Sequence, residues 1–298
     1  MLKYSELGKS IAKKLVSESG QSVIIRNLAN ASSLVSAIVK NLKVFGAKSI
    51  VTTCDSIGLE EADALLVIGG IPKRYEFGLD KKWMSICWPL DEQMFNACIV
   101  DYKKLCQDIE WLKSLVDKTD CVRIVAKDTD IILSIKGYTS MVCDGTYQLP
   151  GGEICMGVVR ESVNGKILFN IPSLKKGVLH ENVMLEFENG KVIRATSSNQ
   201  EAIDALLATD NGARYLGEFA IGINPLITVP TLNGSADEKM SGSIHLALGD
   251  HRSMSDNGNR SAIHWDLVQS HKIQHGGGEI WFDGVLVCKD GVWLQCGS

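Results

Sequence analysis

The stretch Ala62-Asp63-Ala64-Leu65-Leu66-Val67-Ile68-Gly69-Gly70 decides the architecture of the first part of the chain. An apolar run that stops at two glycines reads as a buried strand of a parallel sheet. Upstream lie a short strand, Ser49-Ile50-Val51-Thr52-Thr53, and a helix over 32–45 with Leu34, Ile38, Val39, Leu42 and Val44 at helical spacing. Before these come the strand Ser22-Val23-Ile24-Ile25-Arg26 and a helix over 7–17, separated by Gly20-Gln21. Downstream, Leu105, Ile109, Leu112, Leu115 and Val116 mark a further helix. Alternating strands and helices predict an α/β domain with a parallel sheet over 1–119. No G-x-G-x-x-G follows a strand and no G-x-x-x-x-G-K-[ST] occurs, so Gly69-Gly70 reads as a strand-end turn and not as a phosphate loop.

The texture changes after residue 120. Residues 122–125 and 131–135 are strand-like runs around Asp128-Thr129-Asp130. Asn164-Gly165, Lys176-Gly177, Asn189-Gly190, Asp283-Gly284 and Asp290-Gly291 then punctuate apolar stretches, the pattern of hairpin turns. One helix interrupts them near 199–209. The second domain, over 120–298, is therefore expected to be β-rich α+β.

Composition narrows the function classes. The 298 residues carry 31 basic and 35 acidic side chains, a net charge of -4, and 45% hydrophobic content, which excludes general disorder and a nucleic-acid-coating role. No apolar run reaches the roughly 18 to 20 residues that span a bilayer. Met1-Leu2-Lys3-Tyr4-Ser5-Glu6 lacks the apolar core of a signal peptide, so a cytoplasmic protein is expected, with no membrane or nucleic-acid partner. The nine cysteines are odd in number, irregularly spaced and without C-x-x-C, which argues for small buried hydrophobes over a zinc ribbon or disulfide framework. All six histidines (His180, His245, His251, His264, His271, His275) fall in the last 119 residues, which places metal or proton chemistry there.

Three segments combine glycine, carboxylate and imidazole. They are Leu149-Pro150-Gly151-Gly152-Glu153, then Arg214-Tyr215-Leu216-Gly217-Glu218-Phe219-Ala220-Ile221-Gly222, then the stretch from Gly242-Ser243-Ile244-His245-Leu246-Ala247-Leu248-Gly249 to Asn259-Arg260-Ser261-Ala262-Ile263-His264-Trp265-Asp266-Leu267. On a strand, His264 and Asp266 share a face. Taken singly, each of these residues is more often structural than chemical. Glu218, among Leu216, Phe219 and Ile221, needs a partner, either an arginine such as Arg214 or a metal. Together, Glu153, Glu218, His245, His264 and Asp266 suit two divalent ions, zinc, cobalt, manganese or iron. One ion alone would leave carboxylates facing each other without a cation, and this is the ground for expecting two. Ions about 3.5 to 4 Å apart can activate a water and polarise a carbonyl, the machinery of peptide hydrolysis.

In their order and spacing these segments, with the two ends of the third counted separately, give four motifs that resemble the M29 metallopeptidases, the thermophilic or aminopeptidase T-type enzymes. Asp128-Thr129-Asp130-Ile131-Ile132-Leu133-Ser134-Ile135-Lys136-Gly137 resembles the strand that opens their C-terminal domain. The resemblance is specific over 120–298 and looser over the N-terminal part, which reads as shorter than in typical members. It implies a dimeric metal-dependent aminopeptidase using zinc, cobalt or magnesium, with Glu153, Glu218, His245, His264 and Asp266 as ligands of two ions. Glu218 is the implied bridge, and Glu153 has the further duty of handling the water proton. The chain departs from the pattern where the family carries a tyrosine seven residues after the histidine matching His245. Here that position is Arg252, and Arg252 or His251 is expected to donate to the tetrahedral intermediate in its place. The same resemblance extends to ring-opening dihydroxypyridine dioxygenases with one iron; retention of both Glu153 and Glu218 favours the hydrolase. His271 and His275, beside Gly276-Gly277-Gly278, are expected to face solvent. The apolar C-terminal hairpin, with Trp281, Phe282, Val285, Leu286, Val287 and Trp293, is expected to add to a dimer interface.

Overall fold

The computed structural model describes residues 4–53, 62–70, 81–251 and 256–294. Two compact units emerge, Met1–Tyr102 with Cys143–Gly151, and Lys103–Val142 with Gly152–Ser298. This division differs from a cut at 119 and 120. The helix Tyr102–Val116 lends Leu112 and Val116 to the apolar core of the second unit, so nearly all of it belongs there. A short return of chain, carrying the strand Gln148–Leu149, completes the first.

The first unit is the expected α/β layer. Its five strands run in the order Lys48–Thr52, Ser22–Asn27, Ala64–Ile68, Lys82–Ile86 and Gln148–Leu149, every pair parallel. Ala64–Ile68 lies in the middle and every residue of it is buried, as a strand covered on both faces must be. The helices Tyr4–Leu15 and Ser32–Val44 turn Leu7, Ile11, Leu34 and Ile38 inward.

The second unit is β-rich, as expected, and consists of antiparallel sheets. Eight strands form one sheet, running from Lys191–Thr196 at one edge through Thr129–Ser134 and Cys121–Ala126 to Val292–Trp293 at the other. Five form another, in the order His264–Ser270, Ser243–Gly249, Leu216–Gly222, Glu153–Met156 and Met141–Val142. A single apolar cluster draws side chains from both, including Ile124, Ile167, Phe219, Leu246 and Trp265. Each large side chain taken out of water there contributes about 1.5 to 3 kcal/mol. The helix Gln200–Leu207 is capped by Asn199, whose side chain accepts from the Ala202 backbone N–H.

Four of the five turn dipeptides sit where the sequence put them. Lys176-Gly177, Asn189-Gly190, Asp283-Gly284 and Asp290-Gly291 link consecutive antiparallel strands, with positive φ at both positions. Asn164-Gly165 does not turn. It opens the strand Asn164–Phe169, with Gly165 paired to Ile131 on one side and Phe187 on the other. A side chain at Gly165 would meet the Asp130 carbonyl oxygen at 2.2 Å, so the glycine serves a close strand approach.

Two further expectations change. His271 does not face solvent: it is fully buried, neither ring nitrogen meets a hydrogen-bond partner among the described residues, and burial lowers its pKa to about 4 against the opposing pull of Asp290. His275 is half-buried and shares a 2.8 Å hydrogen bond with Ser270 Oγ. In the C-terminal hairpin, Phe282 and Val287 fill the core of their own unit, while Val285 and Val292 remain exposed.

Candidate metal centre

The five-stranded sheet of the second unit has two unlike faces, and strand register creates them. Cross-strand partners share a face, and neighbours along a strand alternate. Ala220 pairs with His245, Glu218 with Ala247, Ala247 with Asp266, Gly249 with His264, and Gly222 with Glu153. All five expected ligands therefore stand on one face, interspersed with the small residues Ala220, Gly222, Ala247 and Gly249. The other face presents Ile154, Phe219, Ile221, Leu246, Trp265 and Leu267 to the apolar cluster.

A bulge sets the phase. Leu216 pairs with Leu248, yet Glu218 pairs with Ala247, so Gly217 is an extra residue opposite a single step. Leu216 thereby joins the core and Glu218 the polar face. Without the bulge, alternation would give both the same direction.

The side chains converge. The ligand atoms of Glu218, His245 and Asp266 all lie within 4.8 Å of one another. His245 Nε2 is 3.4 Å from Glu218 Oε1, 3.8 Å from Glu153 Oε2 and 3.9 Å from Asp266 Oδ1. His264 Nε2 is 2.9 Å from Asp266 Oδ1. Glu153, Glu218 and His245 are buried; His264 and Asp266 are half-buried. Glu218 is partnered by His245, and Arg214 turns elsewhere, donating to the Val192 carbonyl.

Both imidazoles are oriented by their far nitrogens. His245 Nδ1 lies 3.2 Å from the Glu238 carbonyl oxygen, and His264 Nδ1 lies 2.6 Å from that of Asp250. With Nδ1–H donated to the backbone, each Nε2 keeps its lone pair for the cluster, as histidine ligands of metals are held. The same nitrogen attracts a proton where no ion competes for it. Burial alone would lower the His245 pKa, but the Glu218 hydrogen bond and the charges of Glu153, Asp266 and Glu238 outweigh it and raise the value to about 10. The pocket is thus built to hold positive charge. Two imidazoles with three carboxylates, and the Cys155 sulfur within 4.8 Å of Glu153, form a donor set for a divalent ion, and the residues fit one.

Two members were not foreseen. Glu238 is buried and burial raises its carboxyl to about 8, with Lys239 opposing and Asp266 and Glu153 adding to the rise. Lys239 is fully buried, hydrogen-bonded to Glu238 Oε1, with Nζ 3.4 Å from Glu153 Oε1 and 3.1 Å from the Ser235 carbonyl oxygen. In sequence, Asp237-Glu238-Lys239 reads as an ordinary solvated charge run. Arg252 lies outside the described residues. His251 is buried, with Nδ1 3.3 Å from Asp256 Oδ1 and 3.3 Å from the Arg260 guanidinium.

Among the described residues no helix is long and apolar enough to cross a membrane. No curated protein matches the sequence. Among solved structures, wild-type AmpT from Thermus thermophilus matches with a TM-score of 0.77 at 17% identity, over 98% of each chain, N-terminal part included. At that identity the likeness shows the fold. The family model described as thermophilic metalloprotease (M29) matches residues 90–293, which takes in every residue of the cluster. The chain belongs to the M29 family of thermophilic metalloproteases.

Proposed function

We propose that the chain is a divalent-metal-dependent aminopeptidase that releases N-terminal residues from peptides. One observation carries the reading: two backbone-anchored imidazoles turn their Nε2 atoms into a cluster of carboxylates on one sheet face. A divalent ion held by Glu218, His245, His264 and Asp266 supplies a Lewis acid for the scissile carbonyl and a bound water of lowered pKa. The other roles fall to the chain's own groups. Glu153 presents Oε2 3.8 Å from His245 Nε2, placed to accept the proton of an attacking water. The surplus of carboxylates suits a substrate with a free N-terminal ammonium, which favours an exopeptidase over an endopeptidase. Arg252 is proposed as donor to the tetrahedral oxyanion, and Arg252→Ala should slow turnover by about 10- to 1,000-fold. We place the enzyme in the cytosol as a homodimer; a monomeric mass at micromolar concentration would count against the dimer.

His245, His264 and Asp266 also make up the two-histidine, one-carboxylate set used by non-haem iron oxygenases. That reading is the alternative, a mononuclear ring-cleaving dioxygenase. The position of Glu218 beside His245 favours the hydrolase. The protein supplied with zinc, cobalt or manganese should release the first residue of short peptides, spare N-acetylated ones, and stop when chelated. Tight binding of one iron, oxygen consumption with an aromatic diol and indifference to peptides would establish the oxygenase instead.

A further inference from the structure

The five clustered residues stand on strands of unequal support. Glu153, Glu218 and His245 lie on strands paired on both sides, whereas His264 and Asp266 lie on His264–Ser270, an edge of the five-stranded sheet. The ladder fixes which groups of that edge face outward. The Asp250 N–H donates to the Ile263 carbonyl and the His271 N–H to the Gly242 carbonyl. Bonded pairs therefore fall on the odd-numbered residues, and His264, Asp266, Val268 and Ser270 turn their main-chain groups away from the sheet. A bare edge opens more readily than an interior strand and holds its side chains less firmly.

Residues 170–175 lace this edge in antiparallel order. The Asn170 side chain bonds both main-chain groups of Ser270, each at 2.8 Å, and the Ile171 N–H reaches the Val268 carbonyl at 3.4 Å. Pro172 has no N–H with which to continue a ladder, and side chains take over. Ser173 Oγ accepts from Trp265 Nε1 at 2.9 Å, and the Lys175 ammonium donates to the His264 carbonyl. His180, paired with Ser173 across the hairpin, packs its ring 4.8 Å from that of Trp265, the residue between the two ligands. His264 is thus held at two points, at Nδ1 by the Asp250 carbonyl and at its own carbonyl by Lys175.

We propose that Lys175 is a positioning residue for the metal ligand His264, the last fastening of a lace that gives an edge strand the firmness of an interior one. The inference rests on reading the cluster as a metal centre. Lys175 does not join the donors; its ammonium acts through the main chain of His264. Two roles for this cation predict opposite signs. A positive charge that merely stood near an ion would repel it, so removing the charge would tighten metal binding. A fastening, once removed, loosens the ligand and weakens binding.

Metal affinity tests it without reference to activity. Calorimetry on the apo-protein, with zinc delivered in competition with a chelator, should show Lys175→Met binding about 10- to 100-fold more weakly, the loss expected when a ligand is deprived of its outer partner. Lys175→Arg, which keeps a donor for the carbonyl, should recover most of that loss. Equal or tighter binding by a folded Lys175→Met variant, or a loss that Lys175→Arg leaves unrepaired, would overturn the proposal. No uptake by the unaltered protein would instead remove the metal-centre reading itself, and the proposal with it. If Lys175→Met does not fold, hydrogen exchange in the unaltered protein decides. The amides of Trp265 and Leu267, which enter the ladder from the edge, should exchange as slowly as those of His245 and Ala247 on the neighbouring strand; much faster exchange at the edge would refute the lacing.

Discussion

The strands Ala64–Ile68 and Ser243–Gly249 are both buried from end to end, yet they do opposite things. The first, central in the parallel sheet, is apolar on both faces and carries no titratable group. The second is apolar on one face only and places His245 on the other, among carboxylates taken from three further strands. Burial alone does not distinguish framework from chemistry. What distinguishes them is whether one face of a dry strand holds charge that only a cation could satisfy, because such charge costs several kcal/mol per unpaired ion and does not persist without a partner.

The largest effect should come from the charged face. Glu218→Ala removes the carboxylate nearest His245 and should abolish metal retention and lower peptide turnover by roughly 1,000-fold or more; full metal content in the purified variant would refute its place in the centre. Leu66→Ala probes the apolar strand. It should cost about 2 to 5 kcal/mol in urea denaturation and leave metal content per folded chain unchanged. A loss of metal without loss of stability would break the contrast between the two strands.

His271 gives an intermediate effect. Its folded pKa, about 4, lies below the ordinary value of 6.5, so the unfolded chain takes up the proton first. The stabilisation is complete above pH 6.5 and is lost as pH falls from there toward 4. Between pH 7 and 5 this group should account for about 2 kcal/mol of lost stability. Denaturation midpoints of His271→Leu, compared with the unaltered chain at both pH values, should lack that part of the slope. The smallest effect belongs to His275→Gln, which should change turnover by less than about twofold; a large loss would reveal a chain of hydrogen bonds from this ring to the metal ligands.

How much of this was readable in the sequence follows from the range of the forces involved. Periodicity and turn dipeptides are local, and they located the parallel sheet, the β-rich part and four hairpin turns. The five clustered residues were legible as motifs because each lies in or beside a short apolar run bearing glycine, although alternation alone would have turned Glu218 the wrong way, since the bulge at Gly217 intervenes. Lys239 was not legible. Its burial depends on the missing side chain of Gly222, seventeen positions earlier, and no local pattern links them. Asn164-Gly165 misled for a related reason, since a glycine required by the backbone of Asp130 has the same letters as one required by a turn. His271 was misplaced because three nearby glycines read as a solvent-exposed loop, although its strand neighbours carry it inside.

The bulge at Gly217 has an evolutionary consequence. A bulge absorbs an extra residue: the strand before it and the strand after it both keep their pairing, so Leu216 stays opposite Leu248 and Glu218 opposite Ala247. Deleting Gly217 would leave Leu216 and Glu218 adjacent, and plain alternation would still turn them to opposite faces. What the bulge restricts is the residue it contains, since a side chain at Gly217 would meet the Gly249 carbonyl oxygen at 2.7 Å and the His251 nitrogen at 2.8 Å. In this family, loss of the residue at that point should therefore be borne more readily than its replacement by a larger one.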